Sequence, residues 1–168
     1  MVRALPDDGN RYEVVHGELL VTPAPRAFHQ EIVGELYLDL ALACRQSKRY
    51  RVWLSPADIS WDPDTLVQPD VFIVPADESN TRDWTKMRTL VLVAEVLSPS
   101  TARQDRELKR RLYQAQGVRT VWIVDPELRR VEVWTPEAHF PVIETERVVW
   151  DPRDGTEPVV IALSSLFR

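Results

Sequence analysis

Cysteine is nearly absent from this chain, since Cys44 is its only one in 168 residues. A single cysteine excludes an internal disulfide and any cysteine-rich zinc site. No apolar run approaches the roughly 18 residues of a membrane-spanning helix. The first residues, MVRALPDDGNRYEVV, also lack the apolar core of a signal peptide. We therefore expect a cytoplasmic protein with no membrane partner.

Positive charge is the second scarce feature. The 21 lysines and arginines are outnumbered by 26 aspartates and glutamates, which gives a net charge of -5. This balance argues against a protein that coats DNA non-specifically, because such binding depends on neutralising phosphates, although a local basic patch is still compatible with it. The length fits one domain with its own core. We expect a single domain over residues 1–168, with residues 1–10 as a flexible leader.

Two strand-like pieces come first, in RYEVVHGELLVT from Arg11 to Thr22. They are joined at His16-Gly17, which predicts a β-hairpin with a tight turn. Glu13 and Glu18 flank that turn. From the residues alone, the simpler interpretation is two solvated carboxylates.

A helix is predicted next, over Ala27–Ser47. Its core face is defined by apolar residues at helical spacing: Ile32, Val33, Leu36, Leu40 and Ala43. His29 lies on the same face. A lone histidine on an apolar face is more often a packed core residue than a ligand, although its titration near neutral pH also permits a catalytic role.

Short strands and turns fill the middle of the chain. Two strands are predicted over Tyr50–Leu54 and Ala57–Trp61, and the segment LVQPDVFIVP predicts another. Pro69 removes a hydrogen-bond donor at its start, and the apolar run after it is typical of a buried strand. Asp70 is therefore expected at the mouth of a buried strand. The polar segment 76–89 predicts a mobile loop or a short helix.

The stretch LVLVAEVLSPSTARQDRELKRRLY, residues 90–113, organises the rest of the chain. Its apolar half predicts a strand covered on both faces, within which Glu95 is the exception. An ionised carboxylate in such a strand needs a partner or a metal ion. Thr101 and Gln104 have the form of a capping box for a helix that should end at Gly117.

The predicted helix has three faces on a wheel of about 100° per residue. Leu108, Leu112 and Ala115 would form the buried face. Asp105, Lys109 and Tyr113 would lie along its edge, and Arg103, Arg106 and Arg110 would share the far side, where they could reach solvent or phosphates. The simplest interpretation of Asp105 and Lys109 is an ordinary ion pair one turn apart.

The remaining chain predicts further strands, over Arg119–Val124 and Arg129–Trp134 as a hairpin. Residues 147–150 and 159–163 predict one or two edge strands. The order of elements argues for a single α/β or α+β domain.

Two carboxylates on neighbouring strands and a lysine suit phosphodiester hydrolysis. Asp70 and Glu95 could share Mg²⁺ through their oxygens, and Lys109 could orient water or stabilise charge in the transition state. The same three residues could equally form a structural salt bridge, and the residues alone leave both interpretations open.

Several motifs resemble one known family. The motifs QPD at residues 68–70, EVLSPST at 95–101 and DRELKRRLY at 105–113 are similar to the Uma-two family of restriction-endonuclease-like proteins, within the PD-(D/E)xK nuclease superfamily. The similarity extends over nearly the whole chain. It implies a mixed central sheet flanked by two helices, with an N-terminal β-hairpin. It also implies Asp70 and Glu95 as ligands of Mg²⁺ or Mn²⁺, and Lys109 as the superfamily lysine.

Other positions match the family without an assigned role. They are Glu13, Glu18, His29, Gln68 and Tyr113. One position departs from the superfamily pattern, because the usual lysine two residues after Glu95 would fall at Leu97. The resemblance implies that this lysine has moved to Lys109 on the following helix.

The resulting hypothesis is a metal-dependent endonuclease that hydrolyses DNA and forms a homodimer. The alternative is a catalytically weak or inactive nuclease-like module that binds nucleic acid or a protein. A third possibility is a scaffold that dimerises along an exposed strand or hairpin. Arg103, Arg106 and Arg110 are the expected nucleic-acid contacts.

Overall fold

A six-stranded mixed sheet organises the protein, in a computed structural model that describes residues 8–168. Residues 1–7, most of the expected leader, lie outside the described part. In chain order the strands are β1 Arg11–Val15, β2 Glu18–Thr22, β3 Tyr50–Leu54, β4 Val71–Pro75, β5 Leu92–Val96, β6 Thr120–Asp125, β7 Arg130–Trp134, β8 Val142–Glu144, β9 Arg147–Trp150 and β10 Val159–Ala162. The helices are α1 Ala27–Ser47, α2 Ala76–Asn80, α3 Ala102–Gln104, α4 Arg110–Ala115 and α5 Leu163–Leu166. Trp84–Lys86 forms a 3₁₀ turn and Asp105–Lys109 a π-helical turn.

The strand order in the main sheet is β3-β4-β5-β6-β7-β8. All neighbours are antiparallel except β5 and β6, which are joined by the helical segment that contains α3 and α4. Parallel neighbours need such a crossover. Every residue of β5 is buried, because apolar clusters cover both faces of the sheet. The mixed α+β class and the N-terminal hairpin are thus as predicted.

Helix α1 has the predicted bounds and covers one face of the sheet. Ile32, Val33, Leu36 and Leu40 are buried as expected, whereas Ala43 is half-buried and Cys44 takes the core position. The helix ends at Lys48, whose φ of 59° is left-handed. Among the described residues, no helix is both long enough and apolar enough to cross a bilayer.

The helical segment after β5 differs most from the prediction. Its first turn has no side-chain cap, because the Thr101 hydroxyl accepts from the Ser98 backbone N–H instead of capping the helix. The π-helical turn then changes the phase of the helix, since each π turn holds more residues than an α turn. The predicted core residue Ala115 is exposed as a result. Asp105, Lys109 and Tyr113, predicted at the edge of the buried face, are fully buried.

Smaller corrections concern the short strands. Residues 57–61 form no strand, and Ile59 makes only an isolated bridge to Val67. The two C-terminal strands form a separate antiparallel pair, β9 with β10, and do not extend the main sheet. The last strand of the main sheet is instead the three-residue β8, which was not predicted from the sequence.

Candidate active site

Strands β4 and β5 bring the two predicted metal ligands together. Asp70 immediately precedes β4, and Val71 pairs with Ala94 on β5, next to Glu95. The Val96 backbone N–H donates to Asp70 Oδ2 over 2.9 Å, which fixes the carboxylate against the end of β5. Both side chains are at most 2% exposed.

Asp70 is held by two further side chains. Arg11 on β1 donates to its Oδ1 over 2.8 Å, and His29 Nε2 lies 3.2 Å from its Oδ2. Burial alone would raise the pKa of Asp70, but the hydrogen bond from His29 and the charge of Arg11 outweigh it and lower that pKa. Asp70 is therefore an ionised carboxylate at neutral pH.

Lys109 lies at the centre of a second group of carboxylates. Its Nζ is 2.7 Å from Glu95 Oε1, 2.9 Å from Glu13 Oε1 and 3.6 Å from Asp105 Oδ1. Burial acts to lower the pKa of Lys109, but the charges of Glu13 and Glu95 raise it above its usual value. Lys109 is thus a permanently charged ammonium and not a proton acceptor.

The two groups together contain four carboxylates and only two cations. The carboxylates are Glu13, Asp70, Glu95 and Asp105, and the cations are Arg11 and Lys109. Burial raises the pKa of Glu95, and the neighbouring carboxylates raise it further against the opposing charge of Lys109. Burial also raises the pKa of Asp105. The site therefore holds more carboxyl groups than cations, and burial favours the protonated form of Glu95.

Tyr113 and Gln68 support the carboxylates. The Tyr113 hydroxyl donates to Glu95 Oε1 over 2.5 Å, and burial raises the pKa of Tyr113, which keeps it a neutral donor. The Gln68 backbone N–H donates to Glu13 Oε1 over 2.7 Å, and its side chain donates to Asp58. Gln68 thus positions Glu13 through its backbone.

A cavity of about 670 Å³ opens beside Asp70. Its lining includes Arg11, His29, Gln68 and the turn at residues 98–101. Of the three residues predicted to be catalytic, Asp70 lines it, whereas Glu95 and Lys109 lie behind and are 0% and 1% exposed. We call this the Asp70 cavity. A ligand in it would meet Asp70 first.

Several predicted residues lie away from this cluster. Glu18 is exposed on β2 and makes no ion pair within the described residues. Arg106 is held by Asp125 at 2.6 Å and by Glu132 at 2.9 Å, two contacts that no pattern in the sequence predicts. None of the predicted phosphate-binding arginines lines the Asp70 cavity.

The other two arginines of that predicted face have local partners as well. Arg103 pairs with Glu107, one turn further along the helix. Arg110 stacks over the Trp134 ring at 4.1 Å. Each partner is a residue of the same protein, so the structure gives these two arginines a local role.

Arg11 is the site residue that sequence reasoning missed. The signal was present in RYEVV, because Arg11, Glu13 and Val15 alternate along β1 and so share one face. Glu13 is 2% exposed, so the expectation of a solvated carboxylate was wrong for it. The family resemblance had pointed to Glu13, whereas Arg11 matched no motif.

The oxygen-rich donor set suits a hard divalent cation. Glu95 Oε2 is buried and has no hydrogen-bond partner among the described residues, so one ligand atom is available. The excess of carboxylates also calls for a cation. As the side chains stand, no three carboxylate, imidazole or thiol groups in residues 8–168 converge on one point as a ready-made metal site. Arg11 and Lys109 occupy the space between the carboxylates.

Comparison with known proteins identifies the class to which this fold belongs. The Uma2 family model, described as "Putative restriction endonuclease", matches residues 2–161, so the chain belongs to that family. No curated protein matches the chain.

One similar solved structure is that of "a putative nuclease belonging to DUF820" from Anabaena variabilis ATCC 29413. The two folds superpose with a TM-score of 0.80, over 99% of this chain and 94% of that one, at 17% identity. At this identity the likeness shows a shared fold. The restriction-endonuclease-like architecture implied by the sequence motifs is confirmed.

Proposed function

We propose that the protein is a Mg²⁺- or Mn²⁺-dependent endonuclease that hydrolyses DNA phosphodiester bonds. The observation that carries the proposal is that Asp70 and Glu95 lie at the paired ends of β4 and β5, with Lys109 2.7 Å from Glu95 and a cavity beside Asp70. Membership of a restriction-endonuclease family supports the reaction class.

Asp70 and Glu95 would hold the divalent ion in this proposal. The ion, when bound, supplies a Lewis acid for the phosphodiester. Asp70 is ionised without it, whereas Glu95 has a raised pKa and would lose its proton as the site fills. The free Oε2 atom of Glu95 is the oxygen available for this purpose.

The other residues act by charge and position. Lys109 keeps its proton, so it contributes positive charge near the developing negative charge on the phosphate and does not activate water as a base. Tyr113 and His29 orient the two carboxylates through hydrogen bonds. Glu13 holds Lys109 in place from the N-terminal hairpin.

A plasmid-nicking assay tests the proposal. Wild-type protein should nick supercoiled DNA with Mg²⁺ or Mn²⁺ and not with EDTA, and Asp70→Ala should remove the activity. Asp77→Ala, which removes an exposed carboxylate from α2, is the matched control and should leave it unchanged. Nicking that survives in Asp70→Ala would rule out the assigned site.

A second function is favoured by one observation. Glu95 and Lys109 neutralise each other out of contact with solvent, as in a structural ion pair. The protein would then be a nuclease-like module that binds nucleic acid without cutting it. Metal-independent DNA binding together with no nicking under any metal condition would identify this second function.

We also propose a homodimer as the assembled form. The support is the exposed apolar surface at the sheet's outer strand, where Val142 and Ile143 of β8 are 60% and 43% exposed. Sedimentation analysis at micromolar concentration tests it, and a monomeric species there would exclude the dimer.

A further inference from the structure

A second cavity, of about 500 Å³, lies at the boundary between α1 and β3. We propose that it binds the phosphates of the DNA strand that enters the Asp70 cavity. This inference rests on the proposed endonuclease function. Three cationic side chains line the second cavity, Arg45, Lys48 and Arg51, and no carboxylate is among the described residues that line it. We call it the basic cavity.

The three cations have no acidic partner in the described residues 8–168. Within the part of the chain that the structure describes, no carboxylate oxygen lies within 4.0 Å of Arg45, Lys48 or Arg51. This is notable in a chain with a net charge of -5. Uncompensated cations that share one concave surface create a positive local potential, which attracts phosphate groups.

The acidic residues in the middle of helix α1 share one face. Glu31, Glu35 and Asp39 recur every fourth residue and so form one acidic stripe. Burial raises the pKa of Asp39, and the charge of Glu35 raises it further, so these acids influence each other. At about 100° per residue, Arg45 lies about 80° around the helix from Glu35 in the middle of this stripe, and Lys48 follows the last helical residue. No carboxylate of the stripe lies within 4.0 Å of either cation. The acidic stripe therefore does not neutralise the basic cavity.

Strand β3 supplies the opposite wall. Burial raises the pKa of Cys44 to about 12, and the charge of Arg51 opposes this shift, so the guanidinium lies near the Cys44 thiol. Trp53 is fixed, because its Nε1 donates to Ser79 over 3.0 Å and its ring packs edge-on against Trp84. A rigid aromatic beside cations is a frequent combination in strand-binding grooves.

The Asp70 cavity and the basic cavity are both lined by residues of α1 and of β3 with the turn that follows it. We call this shared border the seam. Trp53 lines the basic cavity and Ser55 lines the Asp70 cavity, about 7 Å further along an extended chain. On α1, Gln30 and Tyr37 lie two turns apart on the same side and line the Asp70 cavity and the basic cavity respectively. Since β3 is an edge strand of the sheet, the seam lies at its border. A bound strand can follow this seam.

The length of the seam sets a size for the substrate. His29 and Arg45 are 16 residues apart on α1, which is about 24 Å along the helix axis. At roughly 3.4 Å per nucleotide, this distance corresponds to about seven base pairs. A shorter duplex in the Asp70 cavity would not reach the basic cavity.

Protection of the edge strand is the competing explanation. Charged side chains on an edge strand prevent association with another sheet. Under that explanation the cations keep the protein monodisperse and contribute nothing specific to DNA binding. Size-exclusion chromatography of each variant separates the two explanations.

The test measures binding by fluorescence anisotropy in EDTA, so that no DNA is cut. The probes are labelled duplexes of about 20 and about 5 base pairs, which exceed and fall short of the seam. The cavity variant is Arg45→Gln/Lys48→Gln/Arg51→Gln. The matched control, Arg88→Gln/Arg111→Gln/Arg147→Gln, removes the same charge from exposed residues that lie outside the basic cavity.

The cavity variant should bind the longer duplex at least about tenfold more weakly and lower the salt slope by about three. It should bind the shorter duplex as the wild type does, and the control should change either affinity less than about twofold. Equal losses in the cavity variant and the control would overturn the inference. Unchanged binding of the longer duplex, or an equal loss with the shorter one, would also overturn it.

A second variant guards against aggregation of the first. Arg45→Glu/Lys48→Glu keeps a charged side chain at two exposed positions but reverses its sign. It should therefore weaken binding of the longer duplex further. If it is monodisperse and binds as the wild type does, the inference fails. Nicking assays distinguish failure of this inference from failure of the proposed endonuclease function. If the wild type and both variants nick DNA equally well, only the role of the basic cavity is rejected.

Discussion

The ammonium of Lys109 lies 2.7 Å from Glu95 Oε1, although the two residues are fourteen positions apart and belong to different elements. The superfamily motif places its lysine two residues after the acid, where this chain has Leu97. The helix after β5 returns across the sheet and delivers the lysine to the same carboxylate from the other direction. We propose that Lys109 supplies the positive charge that the superfamily motif places two residues after the acid.

Removing Lys109 should destabilise the protein strongly. Lys109→Met leaves Glu95 buried without its cation and leaves Glu13 with Arg11 alone, which should cost about 3–5 kcal/mol. Urea denaturation followed by circular dichroism measures the loss. Lys86→Met, at an exposed lysine of the 3₁₀ turn, is the control and should change stability by less than about 0.5 kcal/mol. Similar stability in the two variants would mean that the buried ion pair does not form.

The N-terminal hairpin offers an internally matched pair of glutamates. Glu13→Gln removes a charge that pairs with Lys109, whereas Glu18→Gln alters an exposed side chain on the adjacent strand. We expect the first to lower the free energy of unfolding by about 2 kcal/mol or more and the second to leave it within about 0.5 kcal/mol. Thermal and urea unfolding both report the difference. If Glu18→Gln were the more damaging change, the assignment of the hairpin face would be wrong.

The lowered pKa of Asp70 predicts a dependence of stability on pH. The usual pKa of an aspartate side chain is about 3.9, and His29 and Arg11 lower the pKa of Asp70 in the folded protein. A carboxyl with a lower pKa in the folded state stabilises that state above its unfolded pKa and loses this contribution as the pH falls. The difference in unfolding free energy between wild type and Asp70→Asn should therefore shrink as the pH is lowered from about 6 to about 3. A difference that stayed constant over this range would contradict the ionised Asp70.

Arg106 should behave as a structural residue. It pairs with Asp125 and Glu132, so Arg106→Gln should destabilise the protein by about 1–3 kcal/mol and leave DNA affinity, measured by anisotropy, unchanged. If Arg106→Gln weakened DNA binding without affecting stability, the result would support the predicted nucleic-acid role of this face and contradict a purely structural role.

Periodicity predicted the elements of the fold well where one pattern dominated. Helix α1 has its predicted bounds because its apolar spacing is uninterrupted, and strand β3 has its predicted bounds as well. The phase of the helix after β5 could not be predicted from apolar spacing. Its π-helical turn at Asp105–Lys109 buries charged residues, which do not contribute to an apolar pattern. The segment 57–61 had a strand-like composition but found no neighbouring strand to pair with.

The site was predictable in its chemistry and less so in its environment. Glu95 stood out as a carboxylate within a buried strand, and Asp70 as an acid at the mouth of another. Arg11 could not be assigned, because a lone arginine on a hairpin is usually exposed and only the tertiary contact with Asp70 shows otherwise. Long-range ion pairs of this kind leave no periodic signal in the sequence.

Stoichiometric metal binding tests the central claim most directly. Isothermal titration with Mn²⁺ should show one site per chain in the wild type, and Glu95→Gln, which keeps the shape and removes the charge, should abolish it together with nicking. Glu18→Gln serves as the control of equal chemistry at an exposed position. Undiminished Mn²⁺ binding or nicking in Glu95→Gln would contradict the assignment of Asp70, Glu95 and Lys109 as a metal-dependent nuclease site.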